Sequence, residues 1–288
     1  YSADDFNNLY EDAVARYSLK DYDGATIQLK NALQKNPRHL PSRLLIGKLY
    51  LRTGKAPAAE LELRAALEMG AARDQVFGLL GNALLLQKKY LQILQTITPS
   101  NANSPAAEEA YIFRGRAYLE LAQYDDAQLS FSQAERISPD SAEAMLGLAA
   151  VKTATGKLEE AESYIDRARQ LEPEHSTVWY EKARLRELQR DPEGALSSYN
   201  LALKFNPNSA KARVARATLF FRQGRYTESR KDVEHVYERS PHDLNAALIY
   251  VQVLSRMDEK DKAKLVVQNM QDRLARISDK VILRTPIL

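Results

Sequence analysis

The chain has 288 residues, 44% of them hydrophobic and 27% charged, and a formal net charge of +3. That balance excludes a disordered chain, a membrane-embedded one and a polycation built for nucleic acid. The absence of cysteine removes disulfides, thiolate metal sites and thiol catalysis, and 11 Gly and 11 Pro against 39 Ala favour helix over a loop-rich β fold.

Proline marks out a repeat. Pro37, Pro105, Pro139, Pro173, Pro207 and Pro241 lie on one grid with a spacing of 34, and its empty slot is Ala71, preceded by Gly70. With proline at position 32, the repeats run 6–39, 40–73, 74–107, 108–141, 142–175, 176–209, 210–243 and 244–277. Each is expected to hold two helices, with small residues at positions 8, 20 and 27 letting the backbones approach and a larger one at position 24 filling the space beside them.

In chain order, repeat 1 carries Ala13, Ala25 and Leu29, with Tyr22 after its turn. Repeat 2 has Gly47, a turn at Gly54, then Ala59 and Leu63. Repeat 3 departs from the pattern: Ile93 replaces the small residue and Pro99 interrupts, so a short helix near 88–97 and a loop near 98–105 are expected. That loop reads as a surface insertion or as a bend between repeats 1–3 and 4–8. Repeat 4 shows Tyr111, Gly115, Tyr118, Ala127, Phe131 and Pro139; repeat 5 has Ala149, Gly156, Ala161 and Ile165. Repeat 6 shows Trp179, Ala183, Ala195, Tyr199 and Pro207, and repeat 7 has Ala217, Gly224, Tyr226 and Val233. Repeat 8 ends near residue 277, and 278–288 form a tail without an amphipathic cap. Solenoids need polar caps, so the array is expected to continue beyond Leu288. The division is therefore 1–107, 108–277 and a tail at 278–288. The start at Tyr1 rather than Met likewise suggests that an upstream segment was removed.

These residues resemble the tetratricopeptide repeat, which implies an all-α, right-handed superhelical solenoid of about eight 34-residue helix-turn-helix repeats. A narrower likeness lies in Asp23 to Pro37, in Ala66 to Ala71, in Asp74 to Val76 and in Leu84 to Gln87. These stretches resemble the N-terminal repeats of the TPR lipoproteins of the PEP-CTERM/exosortase system, found beside exopolysaccharide genes. That likeness implies a periplasmic envelope protein, lipid-anchored through an upstream cysteine, acting as a scaffold for polysaccharide export or protein sorting.

No catalytic constellation stands out. His39 and His175 share the last repeat position, His235 and His242 are separated by Pro241, and Glu159-Glu160 and Asp125-Asp126 suit the positive ends of helix dipoles. No enzyme activity, metal or cofactor is expected. The repeat resemblance implies that first helices line a concave groove through positions 2, 5, 9, 12 and 13. Its partner-binding residues would be Tyr10, Tyr17, Lys48, Asn82, Arg116, Tyr180, Arg184 and Phe221. The mixture of apolar patches and isolated cations suits a protein or peptide partner. Alternatives are direct exopolysaccharide binding on Tyr10, Tyr17 and Tyr180 with Lys48, Arg116 and Arg184, or a targeting arm for an enzyme outside this chain. Arg114, Lys182, Arg213 and Arg216 occupy slots that are usually apolar; their stems are expected to pack with their heads in water, or else to form a basic stripe.

Overall fold

The structure is a computed structural model that describes residues 3–99, 104–241 and 243–282. Among these it holds sixteen helices and no strand. They fall into two compact units, 1–157 and 158–288. Unit 1 contains α1 (Ala3–Ser18), α2 (Tyr22–Lys35), α3 (Leu40–Arg52), α4 (Ala56–Glu68), α5 (Arg73–Leu86), α6 (Tyr90–Thr96), α7 (Pro105–Glu120), α8 (Tyr124–Ile137) and α9 (Ala142–Ala154). Unit 2 contains α10 (Leu158–Leu171), α11 (Ser176–Leu188), α12 (Pro192–Phe205), α13 (Ala210–Arg222), α14 (Tyr226–Arg239), α15 (Leu244–Arg256) and α16 (Lys260–Ile282). Odd-numbered helices are the first of each repeat and even-numbered helices the second. Within unit 1, α3, α5 and α7 pack side by side.

The turn inside every repeat uses one device. Position 15 has positive φ in all eight: Lys20, Gly54, Lys88, Ala122, Gly156, Arg190, Gly224 and Asp258, between 56° and 77°. Glycine meets this demand without strain, whereas an L-residue in that region is disfavoured by roughly 1–2 kcal/mol. The helix packing holds five non-glycine residues there, so the turn does not depend on its residue type.

Second helices end in four ways. Proline at position 32 stops most of them. In repeat 2, Gly70 at φ 90° folds the chain back, with the Ala71 N–H donating to the Ala66 carbonyl. The short α6 ends at Thr96, as the sequence suggests, leaving carbonyls that a further turn would have covered. Arg114 from α7 takes that place, donating through Nη1 to the carbonyls of Leu94 (2.8 Å) and Ile97 (3.3 Å) and through Nη2 to the Tyr118 hydroxyl (3.0 Å). In repeat 8, Ala275 stands in the proline slot and α16 runs on to Ile282, into the expected tail; the rest of that tail and residues 100–103 lie outside the described residues.

The core follows the small-to-large pattern. Position 24 is buried in repeats 1 to 7, from Leu29 to Val233, while Val267 on α16 is 37% exposed. Gly47 faces Leu63 so closely that a Cβ would lie 2.9 Å from it. Phe131 is clasped from two sides: a Cβ on Gly115 would sit 2.7 Å from its ring, and one on Gly147 would overlap it.

Candidate functional site

In unit 1, the positions expected to line a groove fall on one face of α1, α3, α5 and α7 by their i, i+4 spacing. Lys48 and Asn82 are exposed, and Tyr10, Tyr17 and Arg116 are partly buried. The tyrosines are engaged. The Tyr10 ring stands edge-on to His39, with centroids 5.2 Å apart, and Tyr17 packs on Tyr22 at 5.8 Å. Lys48 Nζ lies 5.7 Å above the Tyr17 ring, and the Arg52 guanidinium lies 5.5 Å from the Tyr22 ring. Arg116 is tied to Glu143 at 3.4 Å. Further along, the groove positions 5, 9 and 12 of α9, Leu146, Ala150 and Thr153, are buried rather than open.

Glu109 is a residue that the sequence reading did not single out. It sits at position 2 of α7, and its carboxylate lies against the α5 backbone at Gly78, where a Cβ would overlap it. Glu109 is exposed as a residue, yet partial burial of its carboxyl end against α5, followed by the negative charges of Glu143 and Glu108, pushes its pKa above the usual carboxylate range, against the pull of Arg116. The available signal was glycine at a position 5 that holds Tyr, Leu or Ile in the repeats on either side.

In unit 2, Tyr180 and Arg184 are brought together, with the guanidinium 6.0 Å from the ring. Arg184 also binds the buried Glu181 at 3.1 Å, and Tyr180 packs on Tyr199 at 6.1 Å. Phe221 packs on Tyr226 at 5.5 Å, with no described contact to that pair. Tyr199 donates its hydroxyl to Glu187 at 2.6 Å, and burial together with this carboxylate pushes its phenol far up.

The four unusual cations form no basic stripe, nor do their heads simply reach water; they are bound internally. Arg114 caps α6, and Lys182 pairs with Asp166 at 3.2 Å. Arg213 and Arg216 converge on Asp232, which is 2% exposed, with Arg216 donating twice at 2.7 Å and Arg213 once at 3.1 Å. A desolvated carboxylate needs such partners, and a forked guanidinium supplies two parallel bonds. Arg43 meets Glu62 across the same 19-residue offset at 2.5 Å. At this position 4, Arg43, Trp179 and Arg213 each also donate to the carbonyl of the proline six residues earlier, at 2.8–3.0 Å. The recurring spacing was visible in the sequence, but its partner carbonyl was not.

Histidines 39 and 175 precede α3 and α11 without capping them through their side chains, and His235 contacts Arg239; His242 lies outside the described residues. No group of three or more potential metal ligands occurs among the described residues. None of the described helices is long and apolar enough to cross a membrane.

Paired helices of fixed period, with small residues at the contacts and one open face on the first helices, define a helix-turn-helix repeat protein. Profiles described as tetratricopeptide repeat match residues 16–83, 118–185 and 180–243, and the chain belongs to that family. Arrays of this kind generally act as protein–protein interaction scaffolds.

The chain is 21% identical over 250 residues to "Anaphase-promoting complex subunit 3" of Schizosaccharomyces pombe, covering 87% of this chain and 38% of that protein's length. A tetratricopeptide repeat protein from Parabacteroides merdae superposes with a TM-score of 0.71 at 17% identity, over 86% of this chain and 98% of that one. The APC/C hetero-tetramer Cut9-Hcn1 gives 0.59 at 12% identity, over 86% and 52%. At these identities the structural likeness speaks for the fold alone.

Proposed function

We propose that this chain is a non-enzymatic scaffold that binds a protein partner along the first-helix face, within a bacterial envelope system for exopolysaccharide export or protein sorting. The observation that carries the binding reading is the open face of unit 1. There Lys48, Asn82 and Glu109 stand exposed on three adjoining first helices, while the core positions of those helices are closed. Solvent-facing polar groups alternating with leucines on a rigid backbone suit recognition of a peptide or partner helix. Two similar proteins are, by name, parts of multisubunit assemblies.

The envelope assignment, with a lipid anchor upstream of Tyr1, rests on the resemblance carried by Asp23 to Pro37, Ala66 to Ala71, Asp74 to Val76 and Leu84 to Gln87. Direct polysaccharide binding has less support. Sugar rings stack on free aromatic faces, and the rings of Tyr10, Tyr17 and Tyr180 already meet His39, Lys48 and Arg184.

The test is affinity capture from a detergent-treated envelope extract, comparing wild type with a Lys48→Glu/Asn82→Arg variant whose folding is verified by circular dichroism. A protein retained by wild type and lost by the variant is expected. Equal retention by both baits would move the site off this face, and carbohydrate retained without protein would overturn the scaffold reading.

A further inference from the structure

The first-helix face of unit 1 is electrically divided, and we infer that it selects a partner segment of opposite division: acidic side chains at α3, an aliphatic one at α5 and a basic one at α7. This rests on the reading of that face as the binding face and names the chemistry of what it binds.

The positive pole is Lys48 and Arg52, one helical turn apart on α3 and both exposed. Their heads lie over tyrosine rings, and neither forms an ion pair with a carboxylate among the described residues. A cation held on an aromatic face is oriented without being neutralised, so its attraction for an acid remains available. The centre is α5, where Leu86 is 63% exposed beside Asn82.

The negative pole is Glu109. Its carboxylate receives no hydrogen bond or ion pair among the described residues, and it rests where Gly78 provides no side chain. Glu143 lies near enough to oppose its ionisation, and the single cation nearby among the described residues, Arg116, is bound to Glu143. A lysine or arginine supplied by a partner would relieve that repulsion. Helix α3 carries no Asp or Glu, and Arg116, the cation on this face of α7, is paired with Glu143, so a segment of uniform charge is attracted at one end and repelled at the other.

The poles sit on helices two repeats apart. Packed helices lie 8–10 Å from axis to axis, about 20 Å over two repeats, and the seven-position offset between Lys48 and Glu109 adds about 10 Å along the helices, which puts the poles about 22 Å apart, or about seven residues of extended chain. A peptide of that length is too short to form a stable helix in water.

The probes are three end-blocked, fluorescein-labelled peptides of roughly nine residues with the same leucine-containing centre. One carries acids at one end and bases at the other, one carries acids at both ends, and one carries bases at both. Binding is followed by fluorescence anisotropy on the full chain, at low and high salt. The divided peptide is expected to bind about tenfold more tightly than either other peptide, with the advantage shrinking as salt rises. Lys48→Glu shifts the preference to the basic peptide, and Glu109→Lys shifts it to the acidic one. Either shift requires a folded variant, which circular dichroism checks. Affinities equal within about twofold, preferences unmoved by the charge reversals, or no binding of the divided peptide up to about 1 mM would each overturn the inference. A captured envelope partner whose binding ignores both reversals would leave the scaffold reading standing and sink this one alone.

Discussion

Gly147→Ala adds one methyl group to α9, and the structure says where it goes. A Cβ there overlaps the Phe131 ring, which is 1% exposed and already pressed by Gly115 from α7. Helix propensity favours the change by about 1 kcal/mol, since alanine loses less backbone freedom than glycine. Overpacking a filled core costs about 1–3 kcal/mol, and a ring clasped from both sides has little room to turn, so the upper end applies. The net expectation is a loss of about 2 kcal/mol.

Phe131→Leu alone should lose about 1 kcal/mol through the cavity it leaves. In the Gly147→Ala background that cavity is where the new methyl group goes, so the double variant should lose about 1 kcal/mol rather than the additive sum of about 3, a coupling of about 2 kcal/mol. Urea unfolding followed by circular dichroism gives the totals at constant m value. Hydrogen exchange of α7 to α9 localises the change, because a repeat array need not unfold as one unit. Additive losses, or a neutral Gly147→Ala, would show that α7 and α9 move apart freely and that the glycines do not set their spacing.

Asp232→Asn should cost about 3 kcal/mol, because it leaves Arg213 and Arg216 facing a neutral amide in a site from which water is largely excluded; a smaller loss in thermal unfolding would mean that the arginines reach solvent. For Glu234, burial opposes ionisation, but hydrogen bonds from Lys262, Tyr250 and Arg230 outweigh it and hold the carboxyl at about 2, below its ordinary 4.5. A depressed carboxylate stabilises the fold above the unfolded value and ceases to do so as pH falls through the folded one. About 2 kcal/mol should therefore disappear between roughly pH 5 and 2, allowing for partial exposure, and Glu234→Gln should flatten that part of the stability profile. Ala122→Gly should raise stability by about 0.5–1 kcal/mol, the strain at φ 56° less the freedom that glycine gains when unfolded; unchanged melting would show that the turn carries no strain.

The fold was legible because helix packing writes itself into residue size. Twenty of the 24 slots at positions 8, 20 and 27 hold Gly, Ala or Ser, and the proline grid fixes their register. The short α6 was legible for the same reason, since Ile93 and Pro99 break both signals at once. The fate of the cations was not. Arg213 and Arg216 look like a surface charge until Asp232 is brought beneath them from the next helix. The isolated positive charges expected at Arg116 and Arg184 likewise meet Glu143 and Glu181 on folding. Periodicity reports which face a residue occupies, whereas charge pairing depends on rotamers that the period does not encode. Position 15 shows the converse limit: three glycines announce the turn, yet Lys20, Lys88, Ala122, Arg190 and Asp258 adopt it too.

The seal that Arg114 places on α6 has a consequence for how such a chain is inherited. Tandem arrays grow and shrink by copying or losing whole modules, and at most junctions side chain meets side chain, as where Lys182 meets Asp166. Repeats 3 and 4 are different, because the damage in one is repaired by a side chain belonging to the other. Deleting the fourth module would strip two carbonyls bare, and inserting another module between them would carry the arginine out of reach. These two repeats must therefore travel through recombination as a single cassette of twice the ordinary length.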